Sequence, residues 1–148
     1  MAEASSEQDR VVGVLQVYVA AFTRGDVTGV ARCCRPPFMW VTADEVSLAV
    51  SPEEIEQQYA TVLDELRERG FSPTEGKQLR VRMLGPALAI ASGRAVRYVG
   101  DTERERLGAT YLLRKAEEDW RIVVLATHSP DTAALDSDLP VAWTGSPI

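Results

Sequence analysis

Histidine is almost missing from this chain: one stands among 148 residues, at position 128. Cysteine is nearly as scarce, and its two copies, Cys33 and Cys34, are adjacent. Neighbouring cysteines do not bridge each other and neither has another partner in the sequence, so both are expected as reduced thiols of a cytoplasmic protein. A Cys-Cys pair with one distant histidine has no zinc-ligand spacing, so no metal is expected. Positive charge is short too: 16 Lys and Arg face 22 Asp and Glu, a net charge of −6. That balance argues against nucleic acid or an anionic membrane as the main partner, since both need a basic face. No apolar run approaches the roughly 18–20 residues that span a bilayer, and the opening MAEASSEQDR is too acidic and polar for a signal peptide. There is no G-x-S-x-G nucleophile turn and no glycine loop to cradle phosphate.

What remains is ordinary globular material, 45% hydrophobic and 26% charged, long enough for one domain with a sizeable core. Residues 1–8 are expected to be disordered, 9–129 to form a single domain, and 130–148 to form an extended tail. Val11, Leu15, Tyr18 and Phe22 make one helical stripe between Asp9 and Arg24. Gly25 ends that helix, and Asp26 caps a second, shorter one that Pro36-Pro37 stops. Phe38–Thr42 and Val46–Val50 read as a short hairpin. Ser51-Pro52-Glu53-Glu54 is a strong helix start, and Ile55, Tyr59, Val62, Leu63 and Leu66 form the apolar stripe of the third helix. Lys77–Leu84, Ala87–Tyr98, Leu107–Lys115 and Trp120–Thr127 read as strands, with Gly100–Arg106 as a charged turn. The order α-α-β-β-α-β-β-β-β predicts an α+β domain: a curved, mostly antiparallel sheet with three helices from the N-terminal half on one face.

Under strict alternation Trp120, Ile122, Val124, Ala126 and His128 share one face of the last strand. The single imidazole then ends an inward apolar row, either as a structural side chain or as an acid/base that titrates near neutrality. Tyr18 and Tyr59 lie on apolar helix stripes. They are either core tyrosines whose hydroxyls reach the surface or two donors aimed into one pocket. An unpaired buried hydroxyl costs about 1–3 kcal/mol, so such a pocket would hold water or ligand. On Ala87–Tyr98, the face with Leu88, Ile90, Ser92 and Arg94 contrasts with a face of small residues. If the first face points inward, Arg94 requires an anion or carbonyl and would bind a ligand carboxylate or enolate; otherwise it snorkels to solvent. Trp40 is read as pocket wall or core, Thr42 as bonding locally, and Arg80, Arg82 and Arg97 as surface residues.

The element order resembles the nuclear transport factor 2-like superfamily, which includes ketosteroid isomerases, scytalone dehydratases and SnoaL-like polyketide cyclases. The residues that carry the resemblance are YVAAFTRGDVTGV (Tyr18 to Val30), the helix with Ile55 and Tyr59, and the W-R-I-V strand from Trp120. It spans Val11 to Ser129. The resemblance implies a cone of cystatin-like fold, a bent sheet wrapped around helices with a mostly apolar pocket. It also implies a homodimer through the outer sheet face, for which the small-residue face of Ala87 to Ala95 is the expected contact. By the same resemblance Tyr18 falls on the isomerases' oxyanion-hole tyrosine and Tyr59 on a pocket tyrosine. Val124, Ala126 and His128 fall on pocket-lining positions. The isomerases' general-base aspartate is matched by Thr42, and their protonated aspartate by Tyr111 or Thr110. Both carboxylates are thus absent, and a threonine hydroxyl does not shuttle protons at neutral pH without an activating base.

Two functions are expected from this. One is a SnoaL-like, cofactor-free isomerase, cyclase or dehydratase acting on a polyketide- or terpenoid-like substrate. It would use His128 and Tyr18 in catalysis and Tyr59, Trp40, Thr42, Arg94, Tyr111, Val124 and Ala126 in binding. The other is a non-catalytic ligand-binding or protein-interaction module. An apolar small molecule and a second copy of the chain are the expected partners.

Overall fold

A computed structural model of the chain describes residues 2–71 and 75–130. Its elements are α1 (Ala2–Arg24), α2 (Val27–Arg32), β1 (Cys34–Val41), β2 (Val46–Ala49), α3 (Pro52–Glu68), β3 (Glu75–Gly85), β4 (Leu88–Val99), β5 (Thr102–Ala116) and β6 (Asp119–His128). The order is the expected one. The extended tail expected after Pro130 lies outside the described residues.

The helices form where their caps dictate. Gly25 takes φ +74°, a left-handed conformation open to glycine, and ends α1. The Asp26 carboxylate then accepts the Gly29 N–H at 3.0 Å and caps α2. At α3 the Ser51 hydroxyl accepts the Glu54 N–H at 3.2 Å, while the Glu54 carboxylate accepts the Val50 N–H at 2.6 Å. The strands form one sheet in the order β2-β1-β6-β5-β4-β3. All neighbours are antiparallel except β1 and β6, which run parallel. Val11, Leu15 and Tyr18 of α1 and Ile55 and Tyr59 of α3 are buried in one core with Phe38, Ala91, Tyr111, Leu113, Trp120 and Ile122 of the sheet. The fold is the α+β arrangement of three helices against one curved sheet, with its core on the inner face.

Four differences from the sequence reading matter. First, residues 1–8 were expected to be disordered, but α1 begins at Ala2. Its Glu7 carboxylate accepts from Lys115 Nζ at 2.9 Å and from Trp120 Nε1 at 3.1 Å, which ties the helix start to the β5–β6 hairpin. Second, Pro36 and Pro37 do not stop α2, which ends at Arg32; they lie within β1. There the pairing with β6 is irregular between Cys34 and Met39, a place where missing N–H donors cost little. Third, the charged stretch before Leu107 is no turn. It extends β5 back to Thr102, and its Glu105 pairs across the hairpin with Arg97.

Fourth, β6 does not alternate cleanly. Leu112 faces Val124 while Leu113 faces Ile122, so Val123 is an extra residue, a β-bulge. Because side chains alternate with period two, one inserted residue reverses the parity of everything beyond it. Trp120 and Ile122 point into the core, and so do Leu125 and Thr127, but Val124, Ala126 and His128 fall on the outer face. The same registers place Ala89, Ala91, Gly93 and Ala95 of β4 on the inner face, opposite Leu113, Tyr111, Ala109 and Leu107. The small-residue face expected as a dimer contact therefore lies inside, where it leaves room beneath α1.

Candidate functional site

The inner face of the sheet and α1 enclose a cavity of about 370 Å³. Leu15, Val19, Ala20 and Phe22 of α1 form its roof; Leu79, Gly93, Ala95, Leu107, Ala109 and Leu125 form most of its floor. The small side chains on β4 and β5 are what keep the floor low. Trp40 closes one side, in register with Leu125 on the neighbouring strand. The polar side chains along this wall are few: Gln16, Tyr18, Arg97, Tyr111 and Thr127. Volume and lining both fall in the range of small-molecule sites, which are mostly apolar with a small number of placed polar groups.

Beneath one end of the cavity lies an aromatic cluster. The Tyr18 and Tyr59 hydroxyls are 2.9 Å apart and both buried. The Tyr18 ring meets Tyr111 edge-on at 5.4 Å and Tyr59 edge-on at 6.0 Å, and Trp40 lies 5.0 Å from Tyr59. Such edge contacts are the favoured geometry of aromatic quadrupoles. Burial pushes the phenol pKa values of Tyr18, Tyr59 and Tyr111 above the ordinary value. Those hydroxyls therefore remain protonated in neutral solution and serve as hydrogen-bond donors, not as bases. Burial also pushes the Cys34 thiol up to about 12 and keeps it an unreactive thiol beside Tyr59.

Arg97 is the charged group of the wall. It was read as a surface residue, but it shares the parity of Ala91, Gly93 and Ala95 and its side chain is only 13% exposed. Its Nη1 donates to Glu105 Oε1 at 2.7 Å. Desolvation lowers its pKa, and the Glu105 carboxylate opposes that shift. The second oxygen of Glu105 lies 3.5 Å from Nη2 of Arg69. The sequence signal that could have found Arg97 is that shared parity with the small-residue face.

The predicted site residues separate into two groups. Tyr18, Trp40 and Tyr111 line the cavity, and Tyr59 supports it through Tyr18. Thr42 does not reach it: its hydroxyl accepts the Asp44 and Glu45 N–H groups at 3.2 and 3.1 Å, the local bonding expected of it. Arg94 contributes to the wall between Gly93 and Ala95, while its Nε donates to the Pro130 carbonyl at 3.2 Å. Val124, Ala126 and His128 are turned away by the β6 bulge. The His128 ring lies against Gly108, where even a Cβ atom would collide with it. Its Nδ1–H donates to the Ser129 carbonyl at 2.9 Å, so in the neutral ring Nε2 accepts from the Thr110 hydroxyl at 2.7 Å. Thr110 is in turn 3.0 Å from Ser92 Oγ. The imidazole expected in the pocket thus belongs to a hydrogen-bonded row on the outer face.

No described residues outside the cavity form a cluster that could hold a metal ion, and no described helix is long and apolar enough to cross a membrane. A curved sheet over three helices with an apolar hollow beneath the first is the plan of the cystatin-like, NTF2-like class. The chain belongs to the family described as NTF2-like protein (DUF6841), which matches residues 7–130. No curated protein sequence matches it. Among solved structures it is similar to an NTF2-like protein of unknown function from Pseudomonas putida KT2440, with 15% identity over 91% of this chain and 98% of that one and a TM-score of 0.70. An NTF2-like protein with a cystatin-like fold from Novosphingobium aromaticivorans is 16% identical over 87% of this chain and 84% of that one, with a TM-score of 0.67. An NTF-2-like protein of unknown function from Shewanella oneidensis MR-1 is 17% identical over 80% and 96%, with a TM-score of 0.66. At these identities the likeness concerns the fold.

Proposed function

We propose that this protein holds an apolar small molecule in the cavity beneath α1 and binds it without transforming it. The observation that carries this reading is the chemistry of the wall. Its described lining contains no Asp, Glu, His, Lys or Cys, and its phenols are held protonated by burial. General acid–base turnover needs a group that exchanges a proton near the working pH, and the single imidazole sits on the opposite face of the sheet. The hydroxyls and Arg97 suit orientation of a bound molecule instead. The buried thiols of Cys33 and Cys34 fit a cytoplasmic setting.

A test uses the fluorescent apolar dye Nile red. The unmodified protein should bind it with enhanced emission, and Ala109→Leu, which fills the floor of the cavity, should bind it at least about tenfold more weakly while keeping its circular dichroism. A protein that does not take up the dye, or a filled variant that binds it equally well, sinks the reading.

The outer face supports a second copy of the chain as partner. Leu48, Met39, Val124, Leu112 and Ile90 stand in register across β2, β1, β6, β5 and β4, and Leu48, Met39 and the neighbouring Val46 are exposed. A contiguous apolar row on a sheet face is what an isologous dimer covers. Sedimentation of the unmodified chain and of Leu48→Glu tests it: a dimer converted to monomer is expected, and a monomer at every concentration refutes it.

A further inference from the structure

We propose that Arg97 selects the ligand's headgroup: the cavity's occupant is an amphipathic monoanion, an apolar body bearing one carboxylate. This rests on the cavity's being a ligand site and adds the chemical class of what fills it.

The argument begins with the geometry of the guanidinium. A planar fork presents five N–H donors, and the Nε–H points along the edge opposite Nη1. Glu105 occupies Nη1, at 2.7 Å. That carboxylate cannot also serve the far edge, and its other oxygen already faces Arg69. Nε of Arg97 is shut off from solvent and has no acceptor among the described residues. A buried donor left unpaired costs free energy, and the edge formed by Nε–H and the Nη2 amino group matches the two oxygens of a carboxylate. A neutral carbonyl would satisfy one donor; a carboxylate satisfies both and supplies the charge that burial denies.

The surroundings give the rest of the molecule its character. From Arg97 the inner face runs through Ala95 and Leu107 to Gly93 and Ala109, then Tyr111 and Leu125, and ends on Trp40. Arg97 thus stands at one end of an apolar trough, and the tyrosines and Trp40 at the other. Exposure of the side chains rises from 13% at Arg97 to 34% at Glu105 and 50% at Arg69, so the charged end is the one that meets water. A molecule with one acidic end lies in this trough with its apolar body inward. In the low-dielectric wall the charged hydrogen bonds are stronger than in water.

The experiment compares decanoate with decanol as displacers of Nile red, a pair that shares the chain and differs in the charged end. The unmodified protein should prefer decanoate by at least about tenfold. Arg97→Gln should erase the preference while leaving decanol within about twofold, and Arg97→Lys, which keeps charge without the fork, should recover only part of it. Glu105→Gln, which frees the guanidinium of its competitor, should tighten decanoate alone; a purely structural ion pair would instead lower the melting temperature and leave the ratio untouched. Equal affinity for acid and alcohol in the unmodified protein overturns the role of Arg97 while leaving the cavity reading intact, and this arm needs no variant to fold. Displacement by neither compound overturns both.

Discussion

Raising the pH should unfold this protein through its buried phenols. Tyr18, Tyr59 and Tyr111 are three of the protein's four tyrosines, and burial raises all three pKa values in the folded state. In the unfolded chain each ionises near its ordinary value of about 10. The folded state therefore holds three protons that the unfolded state releases. For groups whose folded pKa is raised, the stabilisation is fully present below the unfolded value and is lost as pH rises above it. Each proton difference changes stability by about 1.4 kcal/mol per pH unit, so three phenols give a slope of about 4 kcal/mol per unit above pH of about 10. The thiols of Cys33 and Cys34, also pushed upward by burial, add to the slope from about pH 8.5. A domain of ordinary stability, about 5–15 kcal/mol, then unfolds between about pH 11 and 13. The assay follows tyrosinate absorbance and far-ultraviolet circular dichroism in one alkaline titration. The phenolate signal of these three rings should appear together with loss of secondary structure. If they ionise in stages while the dichroism stays native, the phenols are reached by water and the argument from burial is wrong.

Other outcomes follow from particular contacts. Glu7 has its pKa lowered mainly by Lys115, so its stabilisation is present above the ordinary carboxylate value and is lost as pH falls through the lower folded value; Glu7→Gln should abolish that part of the acid sensitivity, read as a melting temperature less dependent on pH below about 4.5. Tyr59→Phe removes one hydroxyl of the 2.9 Å pair and leaves Tyr18 short of a partner, at a cost of about 1–2 kcal/mol by denaturant titration; no change would mean that water replaces it. Gly108→Ala places a methyl against the His128 ring and should displace it from Thr110. The single imidazole makes this visible as a large shift of its ring proton resonances, and an unshifted spectrum would refute the outward placement.

Much of the architecture could be read from local signals. Gly25, Asp26 and the Ser51-Pro52 start set helix ends through backbone conformation and hydrogen bonds made within a few residues. The stripes with Tyr18 and Tyr59 were legible because helical periodicity is a property of one segment. Their meeting across the core, with Trp40 and Tyr111 beside them, then followed from the order of elements. The faces of the strands were less accessible. Ala87 to Ala95 announced a special face by its small residues, but whether small meant a close interface or a hollow depended on what lay opposite. That turned out to be α1 and a cavity. Thr42 behaved locally, as its place beside a turn suggested.

The amino-acid sequence by itself determined which segments become helices and strands, their order, and which tyrosines are apolar-facing, because propensity, capping and periodicity act between near neighbours. Only the tertiary structure decided which side of the sheet each strand residue occupies beyond Ile122. The extra residue at Val123 exists only with respect to the partner strand β5, and it reverses the parity of all that follows. It turned His128 outward, while the register of β4 on β5 turned Arg97 inward. Pairing across strands, which no local pattern encodes, therefore chose the cavity's charged residue.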